Sequence, residues 1–249
     1  MTKAIRDLKI LLLDVETSPN IGYTWRKYDQ TVIEFVQEWY MLSFSAKWLG
    51  EKKTVVYGLP DFSGFAKDKI NDKKLCQKLW KLMDSADIII AHNGDRFDLR
   101  KINSRFITNG IKPPSPYKTV DTLKAARKYF GFNSNKLNDL GVALGLGKKV
   151  PTGGFQLWLD CMYGDEKAWR KMKAYNKNDV ILLEKVYERL LPWIGNHPSV
   201  SISAEIKCHK CGSFNIQQRG YTYTKASRCK KWCCNDCNAW SSGTYERKP

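Results

Sequence analysis

The chain has no long apolar run. A membrane-spanning helix needs about 20 consecutive apolar residues. The longest candidates here, Ile10-Leu11-Leu12-Leu13 and Ile88-Ile89-Ile90, are only strand-sized. The N-terminal residues carry charges close to Ile10 and offer no small-residue cleavage site, so no signal peptide is expected. Internal repeats and low-complexity tracts are absent, which excludes solenoids and arrays. Cysteine is scarce before residue 207, where only Cys76 and Cys161 occur; both lie in patterned segments and are expected to be small buried hydrophobes. The other six cluster after residue 207, which without a secretory signal argues for metal ligation rather than a disulfide framework. The expectation is a soluble, cytoplasmic or otherwise intracellular protein. Acid is also short: 25 Asp and Glu face 42 Lys and Arg, for a net charge of +17. Such an excess favours a polyanionic partner through phosphate contacts and counterion release. No basic amphipathic helix with a clean apolar face is present to favour a membrane surface instead.

What is there fits a medium domain followed by a small module, since 249 residues allow that division and 43% are hydrophobic. Residues 7–15 read as a buried strand ending at the breaker Ser18-Pro19-Asn20. Residues 39–48 and 53–58 read as two more strands. Asp72 can cap a helix through about Met83, with Leu75, Leu79, Leu82 and Met83 at helical spacing. The run Asp87–His92 is a short apolar strand, Phe97 to about Thr108 a helix stopped by Asn109-Gly110, and residues 117–121 a fifth strand. The rest to Leu191 is mostly helical. Its clearest helix is Tyr175–Leu191, with Val180, Leu183, Val186, Tyr187 and Leu190 three and four apart. Residues 192–204 read as a linker. Early strands followed by helices alternating with strands suit an α/β domain with a mixed sheet.

Three segments carry acids. In Leu13-Asp14-Val15-Glu16-Thr17 the two carboxylates sit two apart at the end of an apolar strand, so alternation points both to one side. Like charges held together call for a cation between them. In His92-Asn93-Gly94-Asp95-Arg96-Phe97-Asp98 a turn leads into a helix whose first turn holds Asp98. In Tyr175-Asn-Lys-Asn-Asp179 the tyrosine and the acid share one helix face at i and i+4. Singly, each has an ordinary reading: a solvated strand end, an acid at a helix N-terminus, a boundary aspartate. Jointly, they supply acids from separate elements, as two-metal phosphoryl chemistry requires with ions about 3.5–4 Å apart.

These segments resemble the three motifs of the DEDD exonuclease superfamily, in the family's order, over roughly residues 7–191. The tyrosine four residues before the last Asp resembles the tyrosine (DEDDy) branch, which includes the proofreading domains of family B DNA polymerases. The histidine branch carries His five residues before that Asp, where this chain has Ala174. The stretch Ser134-Asn-Lys136-Leu137-Asn-Asp-Leu140 is similar to the polymerase exonuclease segment as well. The resemblance implies a ribonuclease-H-like five-stranded mixed sheet flanked by helices. It implies that Asp14, Glu16, Asp98 and Asp179 hold two Mg²⁺ or Mn²⁺ ions. Tyr175 would orient or help deprotonate the attacking water. Thr17, Asn93 and Phe97 would contact the terminal nucleotides, Phe97 by stacking or wedging at a base. Hydrolysis would run 3′→5′ and release nucleoside 5′-monophosphates. Asp121 is a spare acid, read as structural or supporting.

After the linker come Cys208-His-Lys-Cys211-Gly212 and Cys234-Asn-Asp-Cys237-Asn238, two C-x₂-C pairs 22 residues apart. This spacing fits one structural zinc ion on Cys208, Cys211, Cys234 and Cys237. Gly212 and Asn238 tolerate the left-handed backbone of a metal knuckle. Cys233 or Cys229 could replace Cys234, and His209 is an alternative ligand. The intervening residues 215–224 read as strand and hairpin, giving a zinc ribbon. Its Lys, Arg, Tyr and Trp residues suit single-stranded nucleic acid; they could equally build a small core or dock a replication or repair protein. The expected division is 1–196 for the exonuclease domain and 197–249 for a zinc-ribbon nucleic-acid-binding module. The expected substrate is single-stranded DNA or a frayed 3′ end. RNA as substrate, a structure-selective endonuclease and a catalytically inactive zinc-ribbon binder are the alternatives.

Overall fold

Strand β1 (Ile10–Thr17) explains the architecture, because both of its faces are apolar. Leu11, Leu13 and Val15 enter one core while Ile10 and Leu12 enter a second. A strand covered on both faces lies inside a sheet with packing on each side. The structure, a computed structural model, describes residues 8–28, 31–201, 206–225 and 227–247, with backbone alone for 244–247.

β1 pairs antiparallel with β4 (Met41–Trp48), which pairs antiparallel with β5 (Thr54–Gly58). On its other side β1 runs parallel to β6 (Ile88–Ala91), and β6 parallel to β7 (Lys118–Asp121). The order β5-β4-β1-β6-β7 is the expected mixed five-stranded sheet. Helices α1 (Lys73–Asp84), α2 (Asp98–Thr108) and α5 (Gln156–Tyr163) cover the first core. Helices α3 (Thr122–Tyr129) and α4 (Leu137–Ala143) cover the second. Helix α6 (Glu166–Leu190) serves both: Trp169 and Met172 enter the first core, and Val180, Leu183, Val186, Tyr187 and Leu190 the second. It crosses β5, β4 and β1, so its middle passes over the acids of β1. The half-buried pair Lys47–Glu184 fastens it to β4.

Three local expectations change. The last helix starts at Glu166 rather than Tyr175, because Asp165 caps it by accepting from the Ala168 N–H at 2.6 Å. The first helix does begin after Asp72, but Asp72 does not cap it. Its carboxylate, fully buried, instead accepts from Arg105 Nε (2.6 Å) and Nη2 (2.8 Å), Asn109 Nδ2 (2.8 Å) and the Met41 N–H (2.9 Å). It thereby ties α1, α2 and β4 together. Third, residues 18–40 contain a hairpin, β2 (Ile21–Tyr23) with β3 (Glu34–Gln37), which projects Tyr23, Trp25, Tyr28, Ile33 and Val36 into solvent. Ser18 and Tyr40 close its base through two hydrogen bonds of 2.9 Å.

The C-terminal sheet, order β10-β9-β8, comprises β8 (Ile216–Tyr223), β9 (Ser227–Cys234) and β10 (Trp240–Arg247). The segment expected to be a linker is packed over its described part. Leu191–Trp193 form a 3₁₀ turn, Val200 is fully buried, and His197 Nε2 meets the Tyr187 hydroxyl at 2.8 Å. Residues 202–205 lie outside the described residues. The second core runs on through Leu190, Leu191, Ile194 and Val200 into Cys208, Cys211, Cys234 and Ala239. Cys76 and Cys161 are buried among apolar neighbours, as expected.

Removing one partner of a buried, hydrogen-bonded ion pair costs about 3–5 kcal/mol. Asp72→Ala should therefore lower the unfolding free energy by roughly that amount, far more than an exposed acid-to-alanine change on α1, when the two are compared by urea denaturation.

Candidate active site

The parallel ladder between β1 and β6 stops at Leu12↔Ile90. Beyond it the β1 backbone has donors to spare, and the chain leaving β6 turns sharply to meet them. Asn93 adopts a left-handed φ of 66°, and a Cβ on Gly94 would fall 2.4 Å from that of Ala91, so only glycine fits there. Asp121 holds this turn, accepting from Asn93 N–H (3.0 Å) while capping α3 through Leu123 (2.9 Å) and Lys124 (3.3 Å). It is a supporting acid, as read from the sequence. The turn delivers Asp98, 3% exposed, whose Oδ1 accepts from the Val15 N–H at 3.1 Å, between Asp14 and Glu16.

Alternation along β1 places Asp14 and Glu16 on one side, under α6. One carboxylate oxygen from each of Asp14, Glu16 and Asp179 lies within 4.8 Å of the others. Asp98 stands outside that radius because it is tied to β1. Its charge still reaches the group, as part of what raises Asp14 and Glu16. Burial is the largest cause lifting all four acids. It takes Glu16 to about 8 and Asp98 to about 7, and lifts Asp14 and Asp179 above the ordinary carboxylate range. For Asp14 the charges of Glu16, Asp98 and Asp179 add to it.

Three side chains that no sequence pattern marked complete the centre. Lys149, from the loop before α5, donates to Asp179 Oδ2 at 2.6 Å and to the Tyr175 hydroxyl at 3.2 Å. Burial works to lower its ammonium, but Asp179 outweighs this and holds it raised. Asn176, fully buried, donates to Asp14 Oδ2 at 2.6 Å and accepts from Ser43 at 3.1 Å, fixing the Asp14 carboxylate. Trp158 packs edge-on against Tyr175, and its indole works against the rise of Glu16. Tyr175 is kept protonated, its pKa raised by burial and then by the charges of Asp179 and Glu16. Of the expected substrate contacts, Phe97 is 41% exposed at the start of α2, and Thr17 follows the bulge that ends the β1–β4 register. Both flank the acids.

The donor set suits divalent cations. It is all oxygen, it gathers like charges partly out of water, and Asp179 Oδ1 is buried without any hydrogen-bond partner. In the ribbon, one sulfur from each of Cys208, Cys211, Cys234 and Cys237 falls within 4.8 Å of the rest, with Cys208–Cys237 and Cys211–Cys234 both at 3.6 Å. A tetrahedral zinc site with Zn–S of about 2.3 Å needs sulfurs roughly 3.8 Å apart. Gly212 (φ 75°) and Asn238 (φ 61°) take the left-handed turns expected of two knuckles. Cys229 and Cys233 point elsewhere, Cys229 to the Gly243 carbonyl at 2.6 Å, and His209 is outside the group.

Residues 37–191 match the family model described as the RNase_H superfamily, and the chain belongs to that superfamily. The match begins after Asp14 and Glu16. Among solved structures, the fold is similar to the family B DNA polymerase of the hyperthermophilic archaeon Pyrobaculum calidifontis, with a TM-score of 0.56 and 15% identity over 75% of this chain and 25% of that one. The chain thus spans a quarter of the polymerase's length. A comparison with curated proteins finds no match. Superfamily membership supports a hydrolase of the nuclease class. Among the described residues, no helix is long and apolar enough to cross a membrane.

The raised acids give the metal-free protein a defined pH response. Folded, they keep protons that the unfolded chain releases from its ordinary values near 3.8 and 4.5. Stability should therefore fall as pH rises from about 4 to about 8. At the upper end, Asp14→Asn should raise the melting temperature of the metal-free protein, and Mg²⁺ should stabilise the wild type more than the variant. A melting temperature flat across this range would mean that the acids are not raised in the folded protein.

Proposed function

We propose that this protein is a metal-dependent 3′→5′ exonuclease of the tyrosine branch of the DEDD superfamily. In this reading residues 1–196 carry the chemistry, and residues 197–249 form a ribbon held by one structural zinc on Cys208, Cys211, Cys234 and Cys237. The substrate is single-stranded DNA or a frayed 3′ end, and the product a nucleoside 5′-monophosphate. The observation that carries the reading is the convergence of Asp14, Glu16 and Asp179, with Asp98 beside them, around a partnerless carboxylate oxygen.

Asp14, Glu16, Asp98 and Asp179 would hold two Mg²⁺ or Mn²⁺ ions. When bound, such a pair lowers the pKa of a coordinated water and stabilises the leaving 3′-oxygen. The protein's own groups do the rest. Asn176 keeps the Asp14 carboxylate turned to the site. Tyr175, held by Lys149, orients the attacking water or helps to deprotonate it. Lys149 steadies the Tyr175 hydroxyl and brings a fixed positive charge beside the scissile phosphate. The backbone at Thr17, beside the bulge, and Asn93 contact the terminal nucleotide, and Phe97 stacks on or wedges at its base.

The test is cleavage of 5′-labelled single-stranded DNA, duplex DNA and RNA, with and without Mg²⁺. A metal-dependent ladder shrinking from the 3′ end is expected on single-stranded DNA. Preference for RNA would change the substrate and keep the site; binding without cleavage would make the protein an inactive zinc-ribbon binder. Asp14→Ala and Asp179→Ala should each abolish cleavage while fold and binding persist, and metal-dependent cleavage surviving in both would overturn the proposal. Lys149→Met should lower kcat on the order of 10²–10³-fold, the usual effect of removing one preorganised electrostatic donor, with a smaller change in KM.

A further inference from the structure

The ribbon carries a groove of about 640 Å³ bordered by Lys207, His209, Ile216, Lys230, Trp232 and Trp240. Among the described residues its lining includes two indoles and two ammonium groups and no acid. Trp240 is 50% exposed, and the Lys231 ammonium lies 5.9 Å from its ring centroid. His209 Nδ1 is buried there without a hydrogen-bond partner. An aromatic face bordered by cations suits a nucleobase and its phosphates, because every base has a face to stack and every linkage a charge to neutralise.

The groove is also fixed in place. Lys210, between the first two cysteines and 4% exposed, donates to the Pro192 carbonyl at 2.7 Å just after α6. The Val200 N–H donates to the His209 carbonyl at 2.8 Å. These hydrogen bonds and the shared core join the groove's side of the ribbon to the end of α6, the helix that carries Asp179.

We propose that this groove is a second nucleic-acid subsite, taking an unpaired base of a single strand, stacked on Trp240, with the neighbouring phosphates against Lys207 and Lys230. This rests on the nuclease reading for the strand being substrate, and adds where the strand is held away from its cleaved end. An oligonucleotide too short to reach both sites gains nothing from the groove; a longer one gains affinity in a step.

The test measures anisotropy of a labelled long oligothymidylate and a labelled short one, using the zinc-loaded full chain in an Asp14→Ala background so that the probe survives. Trp240→Ala should weaken binding of the long probe about 10-fold, the scale of one missing base stack. It should leave the short probe and the zinc content unchanged, and Trp240→Phe should recover most of the affinity. Should Trp240→Ala fail to retain zinc, Lys207→Gln/Lys230→Gln decides. It should flatten the salt dependence of long-probe binding by about 0.7 for each phosphate no longer neutralised. Unchanged affinity and salt slope for the long probe in zinc-replete variants would overturn the proposal and assign the groove to a protein partner. Cleavage by the wild type is scored separately. Loss of the step with cleavage intact defeats the subsite alone, whereas a step without cleavage defeats the nuclease reading alone.

Discussion

Everything in the larger, N-terminal part of the molecule is arranged around one unfavourable encounter: carboxylates gathered under a helix, largely screened from water. Left to themselves, Asp14, Glu16 and Asp179 would separate. They stay because the elements that carry them have other reasons to be there. β1 is fixed by apolar packing on both faces, and α6 by a stripe that fills two cores. Asp98 is fixed by a β1 donor that the parallel ladder leaves open. The local cost of crowding is met by hydrophobic burial far larger in area, the usual relation between a strained site and the scaffold that imposes it. Lys149 and Asn176 then offset part of the remaining charge and orientation problem within the site.

Much of this was legible in the sequence, because the relevant signals are local. A strand's period of two put Asp14 and Glu16 on the same side. The period of the last helix set Tyr175 and Asp179 on one face. Asn93-Gly94 marked a turn that only a left-handed residue followed by a glycine can make, and the spacing of the cysteines picked out the four sulfurs that meet. What was not legible depends on partners distant in the chain. Asp72 has the signature of a cap, yet its carboxylate finds Arg105 more than thirty residues on. Lys149 lies in a glycine-rich loop and has no periodic neighbour to reveal it, and Asn176 is one polar residue among several at the start of a helical stripe. The hairpin of β2 and β3 is exposed on both faces, so its residues carry no alternation to read.

The two candidate metal centres differ in how the protein prepares them. The ribbon's sulfurs sit on two knuckles of matching geometry, each closed by a left-handed residue, so the site is defined by its own short segments. The acidic site has no such local definition. It is assembled from β1, the turn before α2, and α6, and it exists only when the whole sheet and its helices have formed.

The continuity of the second core gives the ribbon a further consequence. The ribbon serves as an end cap for the helical layer: it seals the apolar tip of α6 as a terminal repeat seals a solenoid. A chain cut after Ile194 would turn Leu190, Leu191, Ile194 and the buried flank of Tyr187 outward as a sticky face. The separable unit for expression and solubility is thus the full polypeptide, and the ribbon's contribution is best isolated by altering side chains rather than by trimming.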